Sequence, residues 1–240
     1  MNKKTYICNM SGGHGMFLKY VLDKCCITTK DIIESPFDDM GRSHNTYTSS
    51  GNFIFIDALE YFNEVKKLKN QNIIVITIDE EVLYFERICI HRSGDANTNL
   101  FNENDIEVFL RKNKSTFPDY CKNKNISIQE GYKIAFKFLD QHGSVKRDNE
   151  RKSFNALKQN SVIFFPLKNF FNSELFCSAI TNIANKFNIS LNMDLCKKWY
   201  NEFYSKNKIL QSHNNVYEYI NGNKTLKLDI LQQAYVDAQS

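Results

Sequence analysis

The chain lacks the long apolar segments that would place it in a membrane. No run of 18 apolar residues occurs anywhere in its 240 residues, so the sequence predicts no transmembrane helix and no membrane partner. Its first residues, Met1-Asn-Lys-Lys, lead directly into a strand-like run without the hydrophobic segment of a secretory signal. We therefore expect a cytoplasmic protein.

Paired cysteines and a strong charge are also missing. The seven cysteines are odd in number and show no C-x-x-C spacing, which indicates reduced, buried thiols rather than a disulfide framework. No His/Cys spacing typical of a zinc site occurs, so we expect no metal. The net charge of +4 is spread along the chain, and basic runs such as 66–69 are typical of solvated helix faces. The sequence therefore predicts no nucleic-acid partner.

The chain does contain alternating strand and helix patterns. Apolar runs predict strands at 5–10, 53–57, 72–79 and 161–165, and the β-branched run 72–79 is typical of a strand buried on both faces. Strands that alternate with helices imply a parallel sheet flanked by helices, in an α/β fold with a three-layer, P-loop-like architecture and a mostly helical second half. We expect one domain over residues 1–240. Predicted helices cover 16–26, 58–69, Asp79 to about Arg92, 103–112, 127–141, 149–158, 172–187, 192–206 and 224–238.

A glycine-rich loop joins the first strand to the first helix. In Ser11-Gly-Gly-His-Gly15 the backbone can turn sharply, and its N–H groups together with the helix N-terminus favour an anion. A magnesium-dependent P-loop would follow its last glycine with Lys and a hydroxyl, where this chain has Met16 and Phe17. The loop therefore predicts a phosphate site without loop-bound magnesium, and the alternative is a tight turn that binds nothing.

Two segments carry a resemblance to a known family. The first is the loop at 11–17, and the second is 161–207, where a strand ending Val162-Ile-Phe-Phe-Pro is followed by helices containing Ile183 and the run Trp199-Tyr-Asn-Glu-Phe. Together they resemble the short, soluble members of the sulfotransferase superfamily. The resemblance implies transfer of a sulfuryl group from 3′-phosphoadenosine 5′-phosphosulfate (PAPS) to a hydroxyl or amine of a small-molecule or glycan acceptor, without a metal.

The resemblance also implies roles for particular residues. The cradle for the phosphosulfate would be Ser11, Gly12, Gly13, His14, Gly15 and Met16. The family's loop lysine is absent, so His14, or Lys19 one turn along, is the nearest cation. His44, in a polar loop before the second strand, is the candidate base, because histidine suits proton transfer at neutral pH.

The 3′-phosphate ligands are expected after the third predicted strand. Arg87, Arg92 and Ser93 are the candidates, since guanidinium groups bind phosphate through paired hydrogen bonds. The family places its Arg and Ser directly after that strand, whereas this chain has Thr77-Ile-Asp-Glu-Glu there. His142 and His213 fall in predicted later loops, outside any recognisable constellation.

Two other functions stay open on the sequence. One is a phosphate- or nucleotide-binding module that has lost catalysis, which the missing lysine favours. The other is a small-molecule kinase with a degenerate loop, which the missing magnesium-binding hydroxyl disfavours.

Overall fold

The computed structural model describes residues 4–9, 14–26, 53–57, 67–77, 117–128, 130–131, 134, 157, 160–222 and 225–237. The chain divides into two compact units. The first comprises Met1–Ile78 and Ser153–Gln211, and the second comprises Asp79–Lys152 and Ser212–Ser240. This division does not decide the expectation of one domain over 1–240, which stays a prediction.

Four strands of the described residues form one parallel sheet in the first unit. They are β1 (Thr5–Asn9), β2 (Phe53–Asp57), β3 (Asn72–Thr77) and β4 (Ser161–Pro166), in the order β2-β1-β3-β4. Ile7 is in register with Phe55 and Ile74, and Ile74 is in register with Ile163. The parallel sheet with its helices confirms the predicted α/β class.

Helices account for most of the remaining described residues. They are α1 (Gly15–Cys25), α2 (Phe117–Asn123), a 3₁₀ helix (Leu167–Phe170), α3 (Ser173–Phe187), α4 (Met193–Lys206), α5 (Lys208–Ile220) and α6 (Leu228–Asp237). Within the described residues, no helix has the length and apolar character needed to cross a bilayer.

Asparagine sets the ends of the helices in the carboxyl-terminal third. The Asn172 and Asn192 side chains accept hydrogen bonds from Leu175 N (2.8 Å) and Leu195 N (3.1 Å), which satisfies donors of the first turns of α3 and α4. Asn188 ends α3 in the left-handed region, at φ 54°, as residues at this position commonly do.

The core of the first unit is aromatic on the side of the sheet that carries α1, α3 and α4. The Phe17 ring of α1 stacks on the Phe203 ring of α4, with centroids 3.8 Å apart and planes 8° from parallel. Phe170 and Phe176 pack around Phe17, and Phe165 of β4 contacts both. This cluster fixes α1 against the elements that follow β4.

Several predicted boundaries are wrong by a few residues. Helix α1 begins at Gly15 and ends at Cys25, one residue before each predicted bound, and β4 extends one residue further, to Pro166. The predicted last residues of β1 and β3, at 10 and 78–79, lie outside the described residues. The predicted helix 58–69 does not reach its end, because 67–70 form a turn in which Asn70 has φ 58°. Residue 157, assigned to the helix 149–158, also lies in a turn.

Two helices were missed, and two predicted helices are outside the described residues. The sequence was not expected to form α2 or α5, and His213, expected in a loop, is a fully buried residue of α5. Predicted helices 79–92 and 103–112 lie outside the described residues, whereas 128, 130, 131 and 134 are helical as expected.

Candidate functional site

The strand order defines one edge of the sheet as the place for a ligand. The chain passes from β1 to β2 on one side and from β3 to β4 on the other, so the order reverses between β1 and β3. In open parallel sheets, ligands bind outside the carboxyl ends of the strands at this switch point. The edge is formed by the ends of β1 and β3, at Asn9 and Thr77.

The N-terminus of α1 follows β1 after only five residues. His14 precedes the helix in the left-handed region, at φ 57° and ψ 25°, and its carbonyl accepts a hydrogen bond from Leu18 N (3.2 Å). The first turn contains no acidic residue, and the His14 side chain does not cap it. The first-turn N–H groups and the positive end of the helix dipole are therefore not neutralised by an acid of this helix.

The His14 ring packs into the aromatic core. Its centroid lies 5.7 Å from that of Phe170 and 5.6 Å from that of Phe203, and both contacts are edge-on. Such aromatic pairs stabilise a packed arrangement beyond the area they bury. The contacts attach the last residue of the glycine loop to the 3₁₀ helix and to α4. The proposed charge role of His14 stays a prediction.

Lys19, the other nearby cation considered from the sequence, forms a buried ion pair. Its Nζ lies 2.8 Å from Asp23 Oδ2, and the two side chains are only 7% and 6% exposed. A pair at i,i+4 on one helix neutralises both charges within α1. Lys19 is thus held by Asp23, one turn further from the loop.

Thr77 is a residue of this edge that the sequence reasoning passed over. Its Oγ1 is buried, and within the part of the chain that the structure describes it has no hydrogen-bond partner. Buried hydroxyls are usually paired because an unpaired one costs stability. The available signal was a single hydroxyl at the end of the aliphatic run Ile73–Ile76.

The structure brings together only part of the predicted site. His14, Gly15 and Met16 lie at the start of α1, where Gly15 is buried and Met16 is half-buried. The remaining predicted site residues lie outside the described residues: Ser11, Gly12, Gly13, His44, Arg87, Arg92 and Ser93. Their roles stay predictions.

Four of the six described thiols are buried, those of Cys8, Cys25, Cys121 and Cys196, whereas Cys26 and Cys177 are half-buried. Burial raises the pKa of Cys8 to about 12, and the pKa of Cys25 is raised by a hydrogen bond with Cys196 and by burial. A thiol with a raised pKa is a poor nucleophile and a poor metal ligand, because both roles need the thiolate. Among the described residues, no group of three or more His, Cys, Asp or Glu side chains could hold a metal ion.

Comparison with models of protein families gives no match, and neither curated proteins nor solved structures give one. The features that bear on function are therefore the strand order, the start of α1 and the residues at the β1–β3 edge.

Proposed function

We propose that the chain is a sulfotransferase that uses PAPS and sulfates a hydroxyl or amine of a small-molecule or glycan acceptor. The observation that carries the proposal is the start of α1: a helix N-terminus with Gly15 in its first turn, five residues after a central strand, at the switch point of a parallel sheet. This arrangement presents backbone N–H donors to an anion.

The residues at this edge suit a phosphate ester. Gly15 has no side chain to keep an oxyanion from the first N–H groups of α1, and the Thr77 hydroxyl is a further donor of the same edge. PAPS supplies the activated sulfuryl group when bound. The chain would hold its 5′-phosphate at Gly12–Gly15, where N–H groups stabilise the charge that develops as the sulfur–oxygen bond to that phosphate breaks.

Transfer also requires a base. The acceptor oxygen or nitrogen forms the new bond to sulfur and must lose its proton, and we assign that proton to the imidazole of His44. The resemblance carried by 11–17 and 161–207 supports this assignment. Arg87, Arg92 and Ser93 are the proposed ligands of the 3′-phosphate.

The packing of Phe17 argues against the kinase alternative. A magnesium-dependent P-loop needs a hydroxyl two residues after its last glycine, which corresponds to position 17. Here that position carries a fully buried ring stacked on Phe203. The position contributes to the core and has no oxygen to offer a cation.

A binding module without catalysis is the second candidate. The two cations nearest the glycine loop in the sequence are His14 and Lys19, and both have structural contacts: His14 packs on Phe170 and Phe203, and Lys19 is paired with Asp23. These contacts favour a site that relies on backbone donors, which would bind phosphate without strong charge stabilisation of a transition state.

Thermal unfolding with two nucleotides tests the proposal. We expect 3′-phosphoadenosine 5′-phosphate (PAP), added without metal at about 100 times its Kd, to stabilise the protein by about 2.7 kcal/mol and to raise the melting temperature by roughly 5–10 °C. ATP with Mg²⁺ should raise the melting temperature much less. Sulfate at matched ionic strength is the control for unspecific anion effects.

Equal shifts with both nucleotides, or none with PAP, would contradict the proposal. If PAP alone stabilises the protein, slow release of PAP from PAPS by the wild-type protein distinguishes the enzyme from the binding module, since a module binds PAPS without consuming it.

A further inference from the structure

The interior strand β3 ends in a polar residue that its packing does not explain. The four residues before Thr77 are aliphatic and buried, and the strand is hydrogen-bonded to β1 on one side and to β4 on the other. A valine would have nearly the same shape as threonine and the same preference for a strand. The hydroxyl is therefore the feature that requires an explanation.

The described residues nearest to Thr77 on its face of the sheet are apolar. Alternation along the strand puts Thr77 on the same face as Ile73 and Val75, which pack with Cys8 and Ile56. Oγ1 is buried, and none of the described residues pairs with it. Burying a hydroxyl in this way destabilises the protein unless a partner arrives from outside the described packing.

The position of Thr77 indicates what that partner is. Val75 is in register with Cys8 of β1, so Thr77, two residues further, lies at the carboxyl end of β3 beside the end of β1. This is the edge at which the strand order reverses and ligands bind. A hydroxyl at this edge can donate to an anionic oxygen, and such charge-assisted hydrogen bonds are stronger than neutral ones.

We propose that the Thr77 hydroxyl donates a hydrogen bond to a phosphate oxygen of the bound nucleotide, as a binding residue of the β1–β3 edge. This inference rests on the proposed function, because it requires a phosphate ester at that edge. It adds a side-chain donor from β3 to the backbone donors of α1.

The test compares PAP affinity and ligand-free stability in three variants. Thr77→Val removes only the hydroxyl, and we expect it to weaken PAP binding about tenfold in calorimetric titration while the ligand-free melting temperature stays the same or rises. Thr77→Ser keeps the donor and should bind within about threefold of the wild type. Thr5→Val is the matched control, since Thr5 is a buried threonine at the opposite, amino end of the neighbouring strand. It should leave PAP affinity unchanged.

Two results would overturn the inference while leaving the proposed function intact. One is wild-type PAP affinity in Thr77→Val, and the other is a lower ligand-free melting temperature in that variant, which would show that the hydroxyl has a structural partner. A wild-type protein that does not bind PAP would instead overturn the proposed function, and this inference with it.

Discussion

The His14 residue combines two features that place different demands on its side chain. Its positive φ is unusual for a residue with a Cβ, although histidine is among the types that adopt it more readily. Its imidazole could carry a positive charge for a phosphate, yet in the structure the ring packs edge-on against Phe170 and Phe203. The packing explains how the loop end is held, and the charge role requires a separate test.

A set of substitutions at His14 separates ring packing from charge. We expect His14→Phe to retain PAP affinity within about threefold, because it keeps the ring contacts. Any strain at positive φ, about 1–2 kcal/mol, lowers the stability of the free and bound protein alike. His14→Lys restores the cation of the family's loop but loses the ring contacts, and we expect it to bind PAP about tenfold more weakly. Calorimetric titration of PAP measures both.

His14→Asn is the control for the backbone, because asparagine tolerates positive φ but has no ring. It should bind PAP about as weakly as His14→Lys does. If His14→Lys binds PAP as tightly as the wild type while His14→Phe binds weakly, the charge of His14 matters and its ring contacts do not.

At the scale of elements, the Asn160 side chain links the amino ends of β3 and β4 through hydrogen bonds. Asn160 Oδ1 accepts a hydrogen bond from Gln71 N (3.0 Å), and Asn160 Nδ2 donates to Leu68 O (3.0 Å). Ser161 N then donates to Gln71 O (2.9 Å), which starts the β3–β4 ladder. The turn at 67–70 is thereby attached to a segment about 90 residues away in sequence.

Removing this amide should destabilise the sheet. Asn160→Ala leaves the Leu68 carbonyl and the Gln71 N–H without their partners, so we expect the free energy of unfolding to fall by about 1–3 kcal/mol in a urea titration. Asn160→Asp keeps the acceptor and loses the donor, so its free energy of unfolding should lie between those of the wild type and Asn160→Ala. An alanine variant as stable as the wild type would show that water replaces both bonds at no cost.

The elements differ in how far local sequence determines them. The strands and α3 and α4 could be predicted because their apolar runs and asparagine caps are local signals. Helix α5 was missed because Ser212 and His213 put polar residues at fully buried positions and obscure the spacing of Ile209, Val216 and Ile220. The end of β3 depends on a partner distant in sequence, because the β3–β4 ladder ends where Thr77 is in register with Pro166.

Local sequence likewise determines only part of the candidate site. The start of α1 could be predicted to within one residue, since helix onset depends on neighbouring residues. The contacts of the His14 ring could not, because Phe170 and Phe203 are more than 150 residues away along the chain. That none of the described residues pairs with the Thr77 hydroxyl depends on how those residues are arranged in the fold, and no sequence pattern shows that.

At the scale of the whole molecule, both compact units contain a buried thiol. Cys8 lies in β1 of the first unit and Cys121 in α2 of the second, and each is 1% exposed. Burial raises the pKa of Cys8 to about 12 and that of Cys121 to about 11, from an ordinary value of 9.0. The phenols of Tyr20 and Tyr200 in the first unit also have raised pKa values, chiefly through burial.

These shifts predict a loss of stability in alkali. Below pH 9 the thiols are protonated in both states, so the contribution is fully present there. Above pH 9 an unfolded thiol releases its proton while the folded thiol keeps it, so the unfolded state is favoured until the pH passes the folded pKa. Each pKa unit corresponds to at most about 1.4 kcal/mol per group. We therefore expect the melting temperature to fall progressively between pH 9 and pH 11 in a buffer series at constant ionic strength.

Substitution of Cys8 tests the cause of this loss. Cys8→Ala should have a lower melting temperature than the wild type at pH 7, because it leaves a cavity, but a shallower decline above pH 9. Val75→Ala is the matched control, since it opens a cavity in the same cluster without removing an ionisable group, and it should keep the wild-type slope. If the melting temperatures of both variants decline above pH 9 in parallel with that of the wild type, the buried thiol does not contribute to the alkaline transition. Ionisation of the phenols of Tyr20 and Tyr200 then becomes the explanation to test.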